Sequence, residues 1–309
     1  MSLRATIDLG RVRRNAVEVA ARTGVEVWAT IKADGYGLGA ARVAGALADV
    51  VAGFCVFALD EATGIDLWSL TGRPAIALGP PTHDAEAYRA AHVWPAVSTP
   101  EQASMLRAAR PILCVDTGMQ RFACPPEWVA EAVRAGGIDE AFTHATRAEQ
   151  AARLVELMAP FRGIKLHAAA SSLLDEPDCR LDAVRPGMAL YRGAVRATAL
   201  LVEARTSRGP IGYTGWTSDS GRHGVIPVGY ANGLRPGPCA VNGRRQRIAE
   251  VGMQTAYVTL AAGDRAGDEV VVLGDGVTEA DVAFAWPATP HQVVLHLASR
   301  GVREYVGGS

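Results

Sequence analysis

With 309 residues, 49% hydrophobic and 20% charged, the chain has the composition of an ordinary globular protein, long enough for a large barrel plus a second domain. A formal net charge of −1 gives no reason to expect nucleic acid or another polyanion as partner, and no apolar window reaches the ~18 residues a membrane span needs. Met1 to Gly10 lacks the basic start and apolar core of a signal peptide, and the five cysteines are an odd set without CxxC spacing. The expected setting is therefore the cytoplasm, with neither a disulfide framework nor a zinc knuckle.

Strand-like Ala5-Thr6-Ile7-Asp8-Leu9 leads into a helix with apolar residues at Val12, Ala16, Val19 and Ala20, closed by Gly24. The run Val25–Ile31, rich in β-branched residues, reads as a short buried strand. Further strand candidates fall at Phe54–Phe57, Ala75–Leu78, Val93–Val97, Ile112–Val115, Ala141–His144, Ile164–Ala168 and Met188–Tyr191. Helical patterns separate most of them, at Ala41–Val51, Glu61–Leu70, Glu101–Ala109, Glu127–Ala135 and Ala148–Met158. Eight strands alternating with helices predict an α/β fold, a (β/α)8 TIM-type barrel rather than an open sheet. After about residue 198 the helical period disappears, and Val225–Val228, Cys239–Val241, Arg247–Val251, Ala256–Leu260, Glu269–Leu273 and Val293–Leu297 are strand-like. Asn242-Gly243 between two of these is a type I′ hairpin signal. The expected division is a barrel over 1–199 and an all-β domain over 200–309.

The stretch Thr30-Ile31-Lys32-Ala33-Asp34-Gly35-Tyr36-Gly37-Leu38-Gly39 concentrates the chemistry. A lone lysine ends a strand, and strand C-termini face the active site of such a barrel. By spacing alone it is either a lysine snorkelling ahead of a glycine-rich turn or a desolvated amine able to form a Schiff base with a carbonyl or with pyridoxal phosphate (PLP). The whole string resembles the K-A-x-A/G-Y-G-H-G motif of the alanine racemase family, with Leu38 in place of its usual histidine. The resemblance implies that Lys32 holds PLP and serves as one of two catalytic bases, while Tyr36 contacts the cofactor phosphate.

Other strings extend the resemblance along nearly the whole chain. Asp116-Thr117-Gly118-Met119-Gln120-Arg121 is similar to D-T-G-M-x-R, which implies that Arg121 binds the cofactor's phenolic oxygen and the substrate carboxylate. Cys114 stands where the family has a lysine, often carbamylated, that orients this arginine; a thiol cannot supply that anion. Thr143-His144-Ala145 matches the segment whose histidine packs beside the PLP ring. His167-Ala168-Ala169-Ala170-Ser171 resembles H-A-A-N-S, with Ser171 as phosphate donor and Ala170 replacing the asparagine. Arg185-Pro186-Gly187-Met188-Ala189-Leu190-Tyr191 resembles R-P-G-I/M-A-L-Y, with Gly187 and Met188 in the cofactor site. Gly187 lets backbone N–H groups approach a phosphate closely. The implied role of Arg185 is to face the pyridine nitrogen. An arginine stays protonated, so it donates to that nitrogen without protonating it. The ring is then a weaker electron sink, and proton exchange at Cα wins over transamination.

Ile211-Gly212-Tyr213-Thr214-Gly215-Trp216 matches the motif whose tyrosine is the second catalytic base and comes from the partner subunit, so a homodimer with shared sites is implied. A phenol is a poor base at neutral pH, its ordinary pKa being about 10, so neighbouring positive charge has to help. Pro227-Val228-Gly229-Tyr230-Ala231-Asn232-Gly233 resembles P-I-G-Y-A-D-G, with Asn232 for Asp. Glu250-Val251-Gly252-Met253-Gln254-Thr255 lines up with G-R-V-x-M-D-Q, keeping Met253 as a substrate-side residue but placing Gln254 where the family has aspartate. His291 replaces a late active-site tyrosine, and Arg303-Glu304-Tyr305 resembles the family's C-terminal R-x-Y. The implied activity is PLP-dependent racemisation of a small amino acid of alanine or serine type, by two bases on opposite faces of Cα. A related PLP decarboxylase should carry a carboxylate opposite the pyridine nitrogen, and Arg185 speaks against it. A PLP homeostasis protein would be a lone barrel. A racemase-like enzyme re-aimed to another amino acid, or a PLP-binding chain without activity, remains open, and no metal cluster is apparent among the seven histidines.

Overall fold

The structure, a computed structural model, describes residues 3–308. Its contacts define two compact units, one of residues 12–35 and 39–190, the other of residues up to 11, 36–38 and from 191 onward. Strand β1 (Arg4–Asp8) therefore groups with the C-terminal unit rather than with the barrel, unlike the expected division at 199/200.

The first unit is a closed barrel of eight strands in sequence order. They are β2 (Glu26–Thr30), β3 (Gly53–Val56), β4 (Ala75–Ala77), β5 (Val93–Val97), β6 (Ile112–Cys114), β7 (Glu140–Phe142), β8 (Lys165–His167) and β9 (Ala183–Val184). Every neighbouring pair is parallel, and β9 closes on β2 through Glu26↔Ala183 and Val27↔Val184. Parallel barrel strands are covered on both faces, which is why most of these segments read as continuous apolar runs. Their interior side chains include Trp28, Cys55, Ile76, Ala96, Ile112, Cys114, Phe142 and Ala183. The Trp28 ring lies directly over Gly53 on the next strand, where any Cβ would collide with it. Connecting helices begin at side-chain caps: Asp84 accepts from Ala87 N and Thr99 from Gln102 N, each satisfying an orphan N–H of the first turn.

Two expected strands fold differently. Met188–Tyr191 is a short helix, and the eighth barrel strand is the two-residue Ala183–Val184 just before it. Val293–Leu297 lies inside the helix Pro290–Arg300, which starts on a capping box between Thr289 and Gln292.

The second unit is built on a nine-stranded sheet. After β1 it contains β10 (Val195–Leu200), β11 (Glu203–Thr206), β12 (Arg222–Ile226), β13 (Gly237–Val241), β14 (Arg244–Val251), β15 (Ala256–Thr259), β16 (Glu269–Leu273) and β17 (Val302–Val306), in the order β11-β12-β15-β14-β13-β16-β10-β1-β17. The β13–β14 hairpin turns at Asn242 (φ 51) and Gly243 (φ 71), the paired positive φ of a type I′ turn. Besides the sheet, this unit carries the helices Glu279–Ala285 and Pro290–Arg300. All five cysteines are free and buried. Among the described residues, no helix is long and apolar enough to cross a membrane, and no group of three His, Cys, Asp or Glu is placed to hold a metal.

Candidate active site

Strand β2 ends at Thr30, and Lys32 follows two residues later. The next four residues are all left-handed: Ala33 (φ 54), Asp34 (φ 55), Gly35 (φ 62) and Tyr36 (φ 57). That conformation costs a non-glycine residue about 1–2 kcal/mol, so surrounding bonds must impose it. Gly35 N donates to Ile31 O at 2.7 Å, and Gly39 N to Asp34 O at 2.8 Å. The Asp34 carboxylate accepts from Ala40 N at 2.8 Å. Glu61 ties this turn to the end of β3, its carboxylate accepting from Ala33 N at 2.9 Å and from Phe57 N at 2.6 Å. Together these bonds fix the point at which the Lys32 side chain leaves the backbone.

Burial and then the Arg121 guanidinium push the Lys32 ammonium below its ordinary pKa, while Glu61 works the other way. His144, just after β7, is pushed down to about 4 by burial, then by Arg185, Arg121 and Lys32. These four side chains, from four different strand ends, thus share one electropositive region of the barrel unit. Burial pushes the Cys55 and Cys114 thiols up to about 12, so neither adds negative charge there.

Arg185 is 4% exposed. One guanidinium nitrogen, Nη2, donates to Thr143 O at 2.6 Å, and the group lies over the Phe142 ring at 4.5 Å. The other, Nη1, is buried without a hydrogen-bond partner. Two residues on, Gly187 N and Ala189 N both donate to Ser171 Oγ at 3.0 Å, gathering Ser171, Gly187 and Met188 into one bend. Also inside the barrel, buried Glu140 faces His167 Nε2 at 2.6 Å without hydrogen-bond alignment.

In the second unit, Tyr36 packs against Tyr191 (ring centroids 4.7 Å apart) and His291 (6.0 Å). Tyr213 sits in the tight turn between the paired residues Ile211 and Trp216 and is 84% exposed. Tyr230 and Met253 are exposed too, on two segments zipped together by Tyr230 N→Gly252 O (2.9 Å) and Ala231 N→Met253 O (3.0 Å). The barrel unit thus holds Lys32, Arg121, His144, Ser171, Arg185, Gly187 and Met188, and the sheet unit holds Tyr36, Tyr213 and Met253.

Residues 7–195 match the family model of the alanine racemase N-terminal domain, and residues 194–305 match that of the C-terminal domain. The chain belongs to the alanine racemase family. It is similar to the alanine racemase of Neisseria meningitidis serogroup C, with 30% identity over 96% of this chain and 97% of that protein. An alanine racemase from Streptomyces coelicolor A3(2) superposes with a TM-score of 0.88 at 26% identity, covering 99% of this chain and 98% of that one. A Bartonella henselae alanine racemase with covalently bound pyridoxal phosphate shares the fold, with a TM-score of 0.87 at 22% identity over 99% of this chain and all of the other (100%).

The residues present fit the family's cofactor. A buried guanidinium N–H with nothing to bond is what an unprotonated ring nitrogen would satisfy, and Arg185 Nη1 is such a group. An amine held below its ordinary pKa suits a Schiff-base lysine. Sequence reasoning missed Glu61, which braces the Lys32 turn, and gave no role to Glu250, whose carboxylate holds the Tyr213 turn. Neither carries a local spacing signal, because Glu250 meets a loop 37 residues upstream.

Proposed function

We propose that this PLP-dependent amino-acid racemase acts on a small amino acid of alanine or serine type, with Lys32 and Tyr213 as the two bases and a homodimer as the working unit. The buried, half-bonded guanidinium of Arg185 beside Lys32, Arg121 and His144 is the observation that carries this reading. When bound, PLP withdraws electrons from Cα and so acidifies its C–H bond. Lys32, its ammonium form disfavoured by burial, is available as a neutral amine to exchange the proton on one face. Arg185, whose Nη1 is buried without a partner, would face the ring nitrogen and, keeping its own proton, would limit electron withdrawal and favour return of the proton to Cα. His144, neutral at working pH, packs beside the ring without adding charge. Ser171, Gly187 and Met188 would hold the phosphate end, and Tyr36 has the phosphate role that the resemblance implies. Arg121 takes the substrate carboxylate, and Met253 lines the substrate side.

Tyr213 exchanges the proton on the opposite face, so that, as the family resemblance implies, Tyr213 serves the L-enantiomer and Lys32 the D-enantiomer. Its exposure, together with that of Tyr230 and Met253, suits a surface completed by a partner subunit, each protomer lending its tyrosine to the other's barrel. The cytoplasm is the proposed location. A panel of single L-amino acids, each followed by NMR for loss of the Cα hydrogen in D2O, tests the reading. Rapid exchange and appearance of the D-enantiomer are expected for alanine or serine; exchange confined to a large or charged amino acid would overturn the substrate class.

A further inference from the structure

The Tyr213 turn rests on a carboxylate that accepts three hydrogen bonds from it. Ile211 N donates to Trp216 O at 2.9 Å, leaving Gly212 to Gly215 as the tip. Under this tip lies Glu250 of β14, only 6% exposed. One carboxylate oxygen, Oε1, accepts from Tyr213 N at 2.5 Å. The other, Oε2, accepts from Thr214 N at 2.9 Å and from the Thr214 hydroxyl. We infer that Glu250 is the positioning residue of Tyr213, fixing where the phenol is presented, an inference that rests on Tyr213 being a catalytic base.

Three independent features agree. First, β14 slips by one residue against β15 between Ile248 and Glu250, and such a bulge re-aims the side chain that follows it. Second, Gly212 (φ +70) is the only residue type the approach allows, since a Cβ there would run into the Glu250 carboxylate. Third, the side chain of Tyr213 is 84% exposed while its backbone N–H is bonded, so the ring gains no fixed position from burial. The ring passes close to Gly252, where an added Cβ would lie 3.2 Å from Tyr213 Cε2. Two successive N–H groups and a hydroxyl converging on one anion form a small oxyanion-type cradle with the usual roles reversed: the side chain is the anion and the loop supplies the donors. Burial alone works to raise the Glu250 pKa. The bonds from the Thr214 hydroxyl and from the Tyr213 and Thr214 amides outweigh it and hold the carboxyl below its ordinary value, so it is ionised at neutral pH.

A glutamine at this place has one acceptor oxygen and turns an N–H2 toward two donors, so the turn loses its anchor while the β14 backbone keeps its pairing. Loss of a base's position by about 1 Å costs on the order of 100-fold in rate. The test compares the holoenzymes of wild type, Glu250→Gln, Thr214→Val and Tyr213→Phe for Cα–hydrogen exchange in D2O, starting separately from L- and D-alanine. It also follows amide hydrogen exchange at residues 213 and 214. Expected for Glu250→Gln are an L-alanine exchange rate about 10- to 100-fold lower, a D-alanine rate within about twofold of wild type, and loss of amide protection confined to the turn. Thr214→Val, which removes one of the three donors and leaves the charge and core untouched, should show a smaller loss in the same direction. Equal slowing of both enantiomers, or unchanged amide protection at the turn, overturns the positioning role when Tyr213→Phe itself is L-selective. A Tyr213→Phe protein that loses both enantiomers equally removes the base assignment first, and the positioning role with it.

Discussion

Replacing Arg185 by methionine separates a group kept for chemistry from one kept for stability. The guanidinium is 4% exposed, donates one hydrogen bond to Thr143 O at 2.6 Å and lies 4.5 Å over Phe142. Losing that charged bond and leaving the carbonyl unpaired costs about 1.5–3 kcal/mol, and losing the ring contact about 0.5–2 kcal/mol. Against this stand two gains. Burial pushes the Arg185 pKa down, the mark of a charge the interior does not solvate, with the field of Glu140 among those partly offsetting it. Relieving such desolvation returns several kcal/mol, and a buried methionine adds about 1.5–3 kcal/mol of apolar transfer. The cofactor-stripped Arg185→Met protein should therefore be as stable in urea as the stripped wild type or more stable, by up to about 4 kcal/mol, while racemisation by the reconstituted enzyme collapses. A stability loss of about 3–5 kcal/mol, the cost of breaking a structural buried ion pair, would show that Arg185 holds the barrel together and that its partnerless nitrogen is incidental.

Borohydride reduction of the yellow holoenzyme should fix a pyridoxyl group on Lys32, read by peptide mass spectrometry; recovery on Lys165 would undo the assignment of the cofactor lysine. His144, held at about 4 in the folded state against about 6.5 unfolded, contributes stability that is complete above about pH 6.5 and drains away as pH falls toward 4. Wild type should consequently lose more stability than His144→Gln between pH 6.5 and 4, and parallel acid titrations of the two would contradict a buried neutral imidazole. Mixing inactive Lys32→Ala with inactive Tyr213→Phe should restore activity, because each hybrid dimer carries one undamaged site and about half of the dimers are hybrids. No recovery under proven subunit exchange would place Tyr213 outside a shared site.

Much of the barrel was legible because its chemistry is local in sequence. Lys32 to Gly39 and Arg185 to Tyr191 each carry strand end, glycine and charge within one short string, and the structure puts the two side chains in the same electropositive region. What failed was the assignment of short apolar runs. Met188, Leu190 and Tyr191 are buried, as a strand would bury them, but the segment turns helically after Pro186-Gly187, and a two-residue strand such as β9 offers no periodicity to read. Val293-Val294 favoured a strand by propensity, yet Thr289, Pro290 and Gln292 just ahead of them spell a helix start, and the cap won over the β-branched pair. Glu250 was opaque for a different reason: its role exists only where a bulge in β14 meets a turn formed by another part of the chain.

The departures from the family pattern follow the same division between backbone-held and side-chain-held features. The proposed PLP end depends on main-chain geometry: the left-handed turn after Lys32, the bend of Gly187 and Ala189 around Ser171, the carbonyl of Thr143 under Arg185. Leu38 in place of the family's histidine and Ala170 in place of its asparagine leave those bonds intact, because none of them uses a side chain at either position. At the proposed substrate end the family relies on charge presented by side chains, and there Cys114 is a neutral thiol pushed to about 12 and cannot serve as the anion beside Arg121. The proposed proton-exchange site around Lys32 is thus held by backbone bonds that the substitutions at positions 38 and 170 do not touch.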